Sequence, residues 1–258
     1  FKACGKLTSV GMKEGVVSIG DEAFSGCMNL LAVSIPSSVE NIGTSAFSLN
    51  IALLNIVLPK GLVNLGDGAF YGCSSLSSIN LPKQITRVGN LTFFSCIRLR
   101  SITCESQIPP VWGEDAFFNV PRSIPVYIPC ASLENYETAA GWNEFTRLTE
   151  PEPERTVLPV TACDSYEWSL KSTVYTTSTK DSVVLTTAEG CDSIVVLNLT
   201  INQSVAVEMT VDTCDTYTWN GNTYTESGDY PFTTTAANGC DSTITLHLTI
   251  YPSYHVDT

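Results

Sequence analysis

Phenylalanine recurs in this chain with a fixed period. Phe1, Phe24, Phe47, Phe70 and Phe93 stand 23 residues apart, and Phe117 follows after 24. Other residue types keep that register. Leu7, Leu30, Leu53, Leu76 and Leu99 lie six residues after each Phe, and Val10, Val33, Ile56, Ile79 and Ile102 lie nine after. Gly20, Gly43, Gly66 and Gly89 lie four before the next Phe, and Pro36, Pro59, Pro82 and Pro129 lie twelve after. Such a period means stacked repeats, each too small to bury its own apolar face. Within one period, Ile79-Asn-Leu81 alternates apolar and polar as a short strand does, and Pro82 ends it, because proline has no N–H for a ladder. Gly66–Cys73 spaces Ala69, Phe70 and Cys73 for a single helical turn. The expected fold of residues 1–148 is a solenoid of about 23-residue repeats, short strands plus short helical turns. Residues 131–148 read as its cap, with Leu133, Tyr136, Ala140, Trp142 and Phe145 on one covering face.

The pattern Ile/Leu-Gly-x-x-Ala-Phe-x-x-Cys-x-x-Leu-x-x-Ile-x-Leu-Pro, as at Leu65–Pro82, resembles the BspA-like leucine-rich repeats of bacterial surface proteins. The resemblance covers about residues 1–148 and implies a curved solenoid outside the cell, often adhesive to host proteins or other cells. In such a solenoid, residues flanking the inward strand columns line the concave surface. Here these are Ser9, Ala32, Ser34, Asn55, Val57, Ser78, Asn80, Ser101 and Thr103, a small, neutral, hydroxyl-rich set without the Trp, Tyr and Arg anchors of interface hot spots. They are the candidate binding residues.

Cys4, Cys27, Cys73 and Cys96 share the column three residues after Phe, where Asn50 stands in the third repeat. Stacking brings such neighbours close enough for a disulfide or a shared metal, but Asn50 in the slot favours a ladder of small buried thiols. Cys104 and Cys130, outside the column, are a possible pair at the end of the array.

Residues 149–156 form a Pro/Glu-rich linker, expected to be stiff and solvated. Beyond it the sequence duplicates. Cys163-Asp-Ser-Tyr166-Glu-Trp168 matches Cys214-Asp-Thr-Tyr217-Thr-Trp219, Gly190-Cys191-Asp-Ser matches Gly239-Cys240-Asp-Ser, and Leu197–Ile201 matches Leu246–Ile250. Thr, Val and Tyr with period-two patterning mark two small all-β modules, 157–203 and 204–251, with 252–258 as the start of a further linker or module. Units this small have thin cores and need staples, so the expected disulfides are Cys163–Cys191 and Cys214–Cys240 within each module, which imply an oxidising compartment. The modules resemble tandem repeats of the Cys-Asp-Ser-Tyr-Thr-Trp-Asn-Gly type found in bacterial surface and secreted proteins, which implies a spacer or stalk. Both ends read as cut: Phe1 enters in mid-repeat, and Val256-Asp-Thr258 resembles Val211-Asp-Thr213.

The charge is uneven. Residues 1–150 carry ten Lys+Arg against twelve Asp+Glu; residues 151–258 carry three against fourteen. Such an acidic half argues against nucleic acid as a partner and against anionic membranes. No apolar run is long enough for a transmembrane segment. The only histidines are His247 and His255. His247 alternates with Leu246 and Leu248, so it is expected to face away from the core, with no nucleophile placed to use it. No zinc spacing, P-loop or dinucleotide glycine pattern occurs, so no cofactor and no enzyme are expected. The Asp after each module cysteine (Asp164, Asp192, Asp215, Asp241) suits turn capping, or Ca²⁺ if a disulfide draws two together. Tyr166/Trp168 and Tyr217/Trp219 are module core or sugar-stacking platforms. The leading reading is a non-enzymatic cell-surface or extracellular protein that binds a protein or glycan partner. A carbohydrate-binding module and a purely structural spacer are the alternatives.

Overall fold

The computed structural model describes residues 1–253. The chain forms two compact units, one of Phe1–Pro153 with Thr186–Asp192, the other of Glu154–Leu185 with the chain from Ser193 onward.

In the first unit each repeat contributes to a parallel ladder with its neighbour in the 23-residue register, so that Ser78 faces Ser101 and Leu81 faces Cys104. The strand Ser9–Gly11 pairs with Ala32–Ser34, and Ser78–Leu81, Ser101–Cys104, Val126–Tyr127 and Leu148–Thr149 form a second block. Asn55–Leu58 between them makes no ladder, although Ile56 and Leu58 still point inward and are buried. A second parallel sheet, not expected from the sequence, joins the two-residue strands Ser18–Ile19, Asn41–Ile42, Asn64–Leu65, Arg87–Val88 and Val111–Trp112.

The expected helical turn is absent from every repeat; the segment around each Phe is a run of turns. Its amides alternate in destination. The N–H groups of Ala69, Tyr71 and Cys73 donate three residues back, to Gly66, Gly68 and Phe70 (3.2, 2.9 and 3.1 Å). Those of Gly68, Phe70 and Gly72 donate to Asn90, Thr92 and Phe94 of the next repeat (2.7, 2.9 and 2.8 Å). A helix would keep all of these bonds to itself; here half of them stitch the coils together. The alternation requires left-handed backbone two residues before and two after each Phe. Those positions hold Gly68 and Gly72 (φ 60° and 68°), but also Ser45 and Leu49 (53° and 58°) and Leu91 and Ser95 (55° and 57°). Side chains at such φ cost about 1 kcal/mol each, which the coil-to-coil bonds offset.

Between the sheets, Phe24, Phe47, Phe70 and Phe93 stack with ring centroids 5.4, 5.6 and 5.5 Å apart. Coils this close leave no room at the repeated glycine: a Cβ on Gly66 would stand 2.6 Å from the Gly43 carbonyl carbon. The end is closed by the helix Leu133–Thr138 and a 3-10 turn Trp142–Glu144. Tyr136, Trp142 and Phe145 are buried there, and the Trp142 indole N–H donates to the Pro110 carbonyl at 2.7 Å. Leu133 and Ala140, expected on that covering face, are exposed.

The second unit holds two copies of one β design. In the first copy the central strand Asp192–Asn202 lies between Glu154–Cys163 and Thr179–Thr186, with a separate hairpin Tyr166–Trp168/Thr173–Tyr175. In the second, Asp241–Tyr251 lies between Ala206–Cys214 and Gly228–Thr235, with the hairpin Tyr217–Trp219/Asn222–Tyr224. The opening strand of each copy runs parallel to the central one. The linker is shorter than expected: Thr149 pairs with Tyr127, and strand begins again at Glu154. Of the expected further linker or module at 252–258, residues 254–258 lie outside the described residues.

Candidate functional site: the exposed strand face and the cysteines

The strand ladders put their odd and even residues on opposite faces, which separates core from surface. Ser9, Ala32, Ser34, Asn55, Val57, Ser78 and Asn80 are exposed, and Ser101 and Thr103 are half-buried. Side chains bond along this face from repeat to repeat. The Ser77 hydroxyl donates to Asn55 Oδ1 (2.9 Å), and Asn80 Nδ2 donates to Glu105 Oε1 (2.7 Å). Tyr127 pairs with Thr103 and extends the column Ser34, Val57, Asn80, Thr103 by one residue; it is 46% exposed. Sequence reasoning missed this anchor, although Tyr127 lies ten residues after Phe117 as Thr103 lies ten after Phe93. Val57, 77% exposed, is the other large apolar side chain there.

Tyr71, Phe94 and Phe118 form a second, outward stack with centroids 5.0 and 4.8 Å apart. It leads to a cleft of about 470 Å³ beside the cap, lined by Trp112, Phe118, Arg122 and Trp142 among others. Arg122 is engaged there: its guanidinium lies 5.2 Å from the Trp112 ring centre, pairs with Glu144 at 2.9 Å and donates to the Phe117 carbonyl at 2.9 Å. The Trp112 indole N–H is buried without a partner among the described residues.

The cysteines correct the expected pairing. The disulfides are Cys130–Cys191 and Cys163–Cys240, not Cys163–Cys191 and Cys214–Cys240. Cys214 is an exposed free thiol. Cys104 does not pair with Cys130; it is a buried thiol, and burial pushes its pKa up to about 12. In the solenoid column Cys27, Cys73 and Cys96 are buried free thiols whose sulfurs donate to the carbonyls of Phe1, Phe47 and Phe70 in the preceding repeats (3.1, 3.1 and 3.3 Å). Cys4, in the first repeat, is exposed. Burial raises Cys73 well above the ordinary thiol value and Cys96 to about 12, so both stay protonated and unreactive.

The module carboxylates serve turns. Asp164 accepts from the Ser204 amide and hydroxyl (2.7 and 2.5 Å), and Asp215 accepts from those of Ser253 (2.9 and 2.5 Å). The serine hydroxyl bonds hold both carboxyls below their ordinary value. The disulfide that was to draw Asp164 and Asp192 together is not formed. Trp168 is buried at 1% exposure, while Trp219 is half-buried against Phe232 (5.8 Å). His247, expected to face away from the core, is half-buried between carboxylates, with Nδ1 2.6 Å from Asp229 and Nε2 3.9 Å from Glu208.

Residues 1–122 match the family described as BspA type leucine rich repeat region, in six copies. No curated protein matches the chain in sequence. Among solved structures, the T. pallidum leucine rich repeat protein TpLRR is 25% identical, with a TM-score of 0.40 over 50% of this chain and 64% of that one. A leucine rich cell surface protein of Faecalibacterium prausnitzii is 21% identical, with a TM-score of 0.34 over 62% and 56% of the two chains. A leucine-rich repeat protein of Bacteroides ovatus is 21% identical, with a TM-score of 0.33 over 82% and 58%. The chain thus spans less than two thirds of each of these proteins.

Proposed function

We propose that this is a non-enzymatic protein of the cell surface or extracellular space that binds a protein partner through the exposed strand face of its solenoid, with the β modules as a stalk. The observation that carries the reading is the exposed row of mostly small polar side chains ending at Tyr127, a hydrogen-bonding surface with one aromatic anchor. Two disulfides support an oxidising environment. The carbohydrate-binding alternative loses one of its two platforms, because Trp168 is buried. The test compares the wild-type chain with an Asn55→Lys/Ser78→Lys/Asn80→Lys variant and with Tyr127→Ala, in binding to immobilised extracellular-matrix proteins and to host-cell surfaces. Unchanged melting with at least about tenfold weaker binding is expected, since replacing an aromatic anchor of an interface costs about 2 kcal/mol or more. Binding that survives both variants sinks the assignment of this face.

A further inference from the structure

The two disulfides share a pattern that neither module explains alone. Three cysteines sit just before a residue in left-handed conformation: Cys130 before Ala131 (φ 55°), Cys163 before Asp164 (60°) and Cys214 before Asp215 (63°). Two others sit in turns behind a left-handed glycine: Cys191 after Gly190 (81°) and Cys240 after Gly239 (85°). Each observed bond joins one of the first kind to a turn cysteine further along the chain, Cys130 to Cys191 and Cys163 to Cys240, with separations of 61 and 77 residues. The pairing is therefore staggered. A module does not close on itself; its first cysteine takes the turn cysteine of the module that follows.

The site that receives the turn is visible in the first copy. Cys163 faces Asn202 across the parallel ladder, and Asp164 pins Ser204. The incoming turn docks on that corner: Cys240 Sγ points to the Asn202 carbonyl (3.6 Å), Asn202 Nδ2 donates to the Asn238 carbonyl (2.6 Å), and Asn238 Nδ2 donates to the Gln203 carbonyl (3.1 Å). The second copy repeats the corner. Cys214 faces Tyr251, and Asp215 pins Ser253 through the same amide and hydroxyl. Cys214 is exposed and Tyr251 is 55% exposed. One contact differs, because Tyr251 has no amide to offer an Asn238-like residue; its backbone carbonyl remains.

We propose that Cys214 is a linkage site for another module of this kind, and that it bonds the cysteine of that module's Gly-Cys-Asp-Ser turn. The array is then a daisy chain in which each module is locked by its successor. The two thiols lose two protons and two electrons to one molecule of a low-molecular-weight disulfide such as oxidised glutathione, which leaves as two thiols. In sequence, a thiol on the turn first exchanges with that disulfide, and the Cys214 thiolate then attacks the mixed disulfide and expels the carrier.

The experiment extends the full chain by a copy of Cys214–Tyr251 placed directly after Thr258, folds it in a glutathione redox buffer and maps the cross-links by mass spectrometry without reduction. The number of free cysteines stays at six, as in the chain without the extension, so connectivity decides. The expected link joins Cys214 to the appended copy of Cys240, with the appended copy of Cys214 now free to alkylate. Pairing of the two appended cysteines with each other overturns the proposal. So does a free Cys214 in a digest where Cys163–Cys240 is intact, or a dimer linked Cys214 to Cys214. In the unextended folded chain, Cys214 should react with a chromogenic aryl disulfide within minutes while Cys73, Cys96 and Cys104 need denaturant. A Cys214 that stays blocked in the native state would also overturn the idea.

Discussion

The solenoid and the β modules are both tandem repeats, yet they hold their copies together by opposite means. The solenoid stacks coils on an uninterrupted core that runs from Ile19 to Phe145, and its column cysteines Cys27, Cys73 and Cys96 remain thiols inside that core. The first module's buried core is Trp168, Leu197, Leu199 and Ile201, with Val157, Val174 and Val184 left exposed on its strands. A unit with so little apolar area to bury needs a covalent tie, and the tie goes to its neighbour. A column cysteine of the solenoid is thus a small apolar side chain, whereas Cys130, Cys163, Cys191 and Cys240 are fasteners.

The largest effect that sharpens this contrast is expected from Phe70→Ala. Phe70 is fully buried between Phe47 and Phe93, and removing a buried ring costs about 3–5 kcal/mol. Calorimetry should show the solenoid transition falling and the module transition holding. Next comes Cys163→Ser, which opens the Cys163–Cys240 loop. A crosslink across 77 residues is worth roughly 4 kcal/mol in the chain-entropy picture, all of it assigned to the modules. Dithiothreitol should reproduce the shift. If Cys163→Ser left the module transition in place, the modules would be stable on packing alone and the contrast would collapse.

What was legible in the sequence follows the same divide. The Phe, Leu, Ile and Gly columns are side-chain requirements of a packed core, so they are written in residue identity and place the solenoid and its cap. The left-handed positions flanking each Phe are backbone requirements. Gly26, Gly68 and Gly72 signal them, but Glu22, Leu49 and Leu91 occupy the same places, forced there by the coil-to-coil hydrogen bonds. The turns were consequently read as helix. The two-residue strands Asn41–Ile42 and Asn64–Leu65 are too short to show any alternation. The disulfides were misread for a different reason: two modules with matching cysteine positions offer the same residue types for closure within a module and for closure one module on, and spacing does not separate them. The candidate binding face was legible as columns of small residues, whereas Tyr127, ten residues after Phe117, was missed because a large aromatic breaks that small-residue pattern.

A smaller effect tests the thiol column itself. Asn50 fills the cysteine position of the third repeat and is fully buried; its Nδ2 donates to the Phe47 carbonyl at 3.0 Å, but its Oδ1 has no partner among the described residues. A buried acceptor left unpaired costs about 1–3 kcal/mol. If the column is a set of small apolar slots, Asn50→Cys should raise solenoid stability by about 1 kcal/mol, read as a higher melting temperature. A drop would mean that the amide contributes something the thiols do not.

The smallest effect is electrostatic and belongs to the modules. Lys171 pairs with Asp181 at 2.7 Å, the Tyr175 hydroxyl also donates to that carboxylate, and together they lower it from an ordinary 3.8 to about 2. Asp164 and Asp215 are lowered in the same direction by their serines. Carboxyls depressed in the folded state bind protons more readily when unfolded, so their contribution is fully present above about pH 4 and is lost as pH falls toward 2. These groups are solvent-exposed and screened, which keeps the effect below that of the disulfide. The solenoid's lowered carboxyl is Glu14, held by the Ser37 amide on a single edge coil. Acid titration of the two transitions should therefore move the module melting temperature more than the solenoid's. Asp181→Asn should flatten the module's slope, and 1 M salt should shrink it. Equal slopes in the two transitions would show that acid acts through overall charge rather than through these turn contacts.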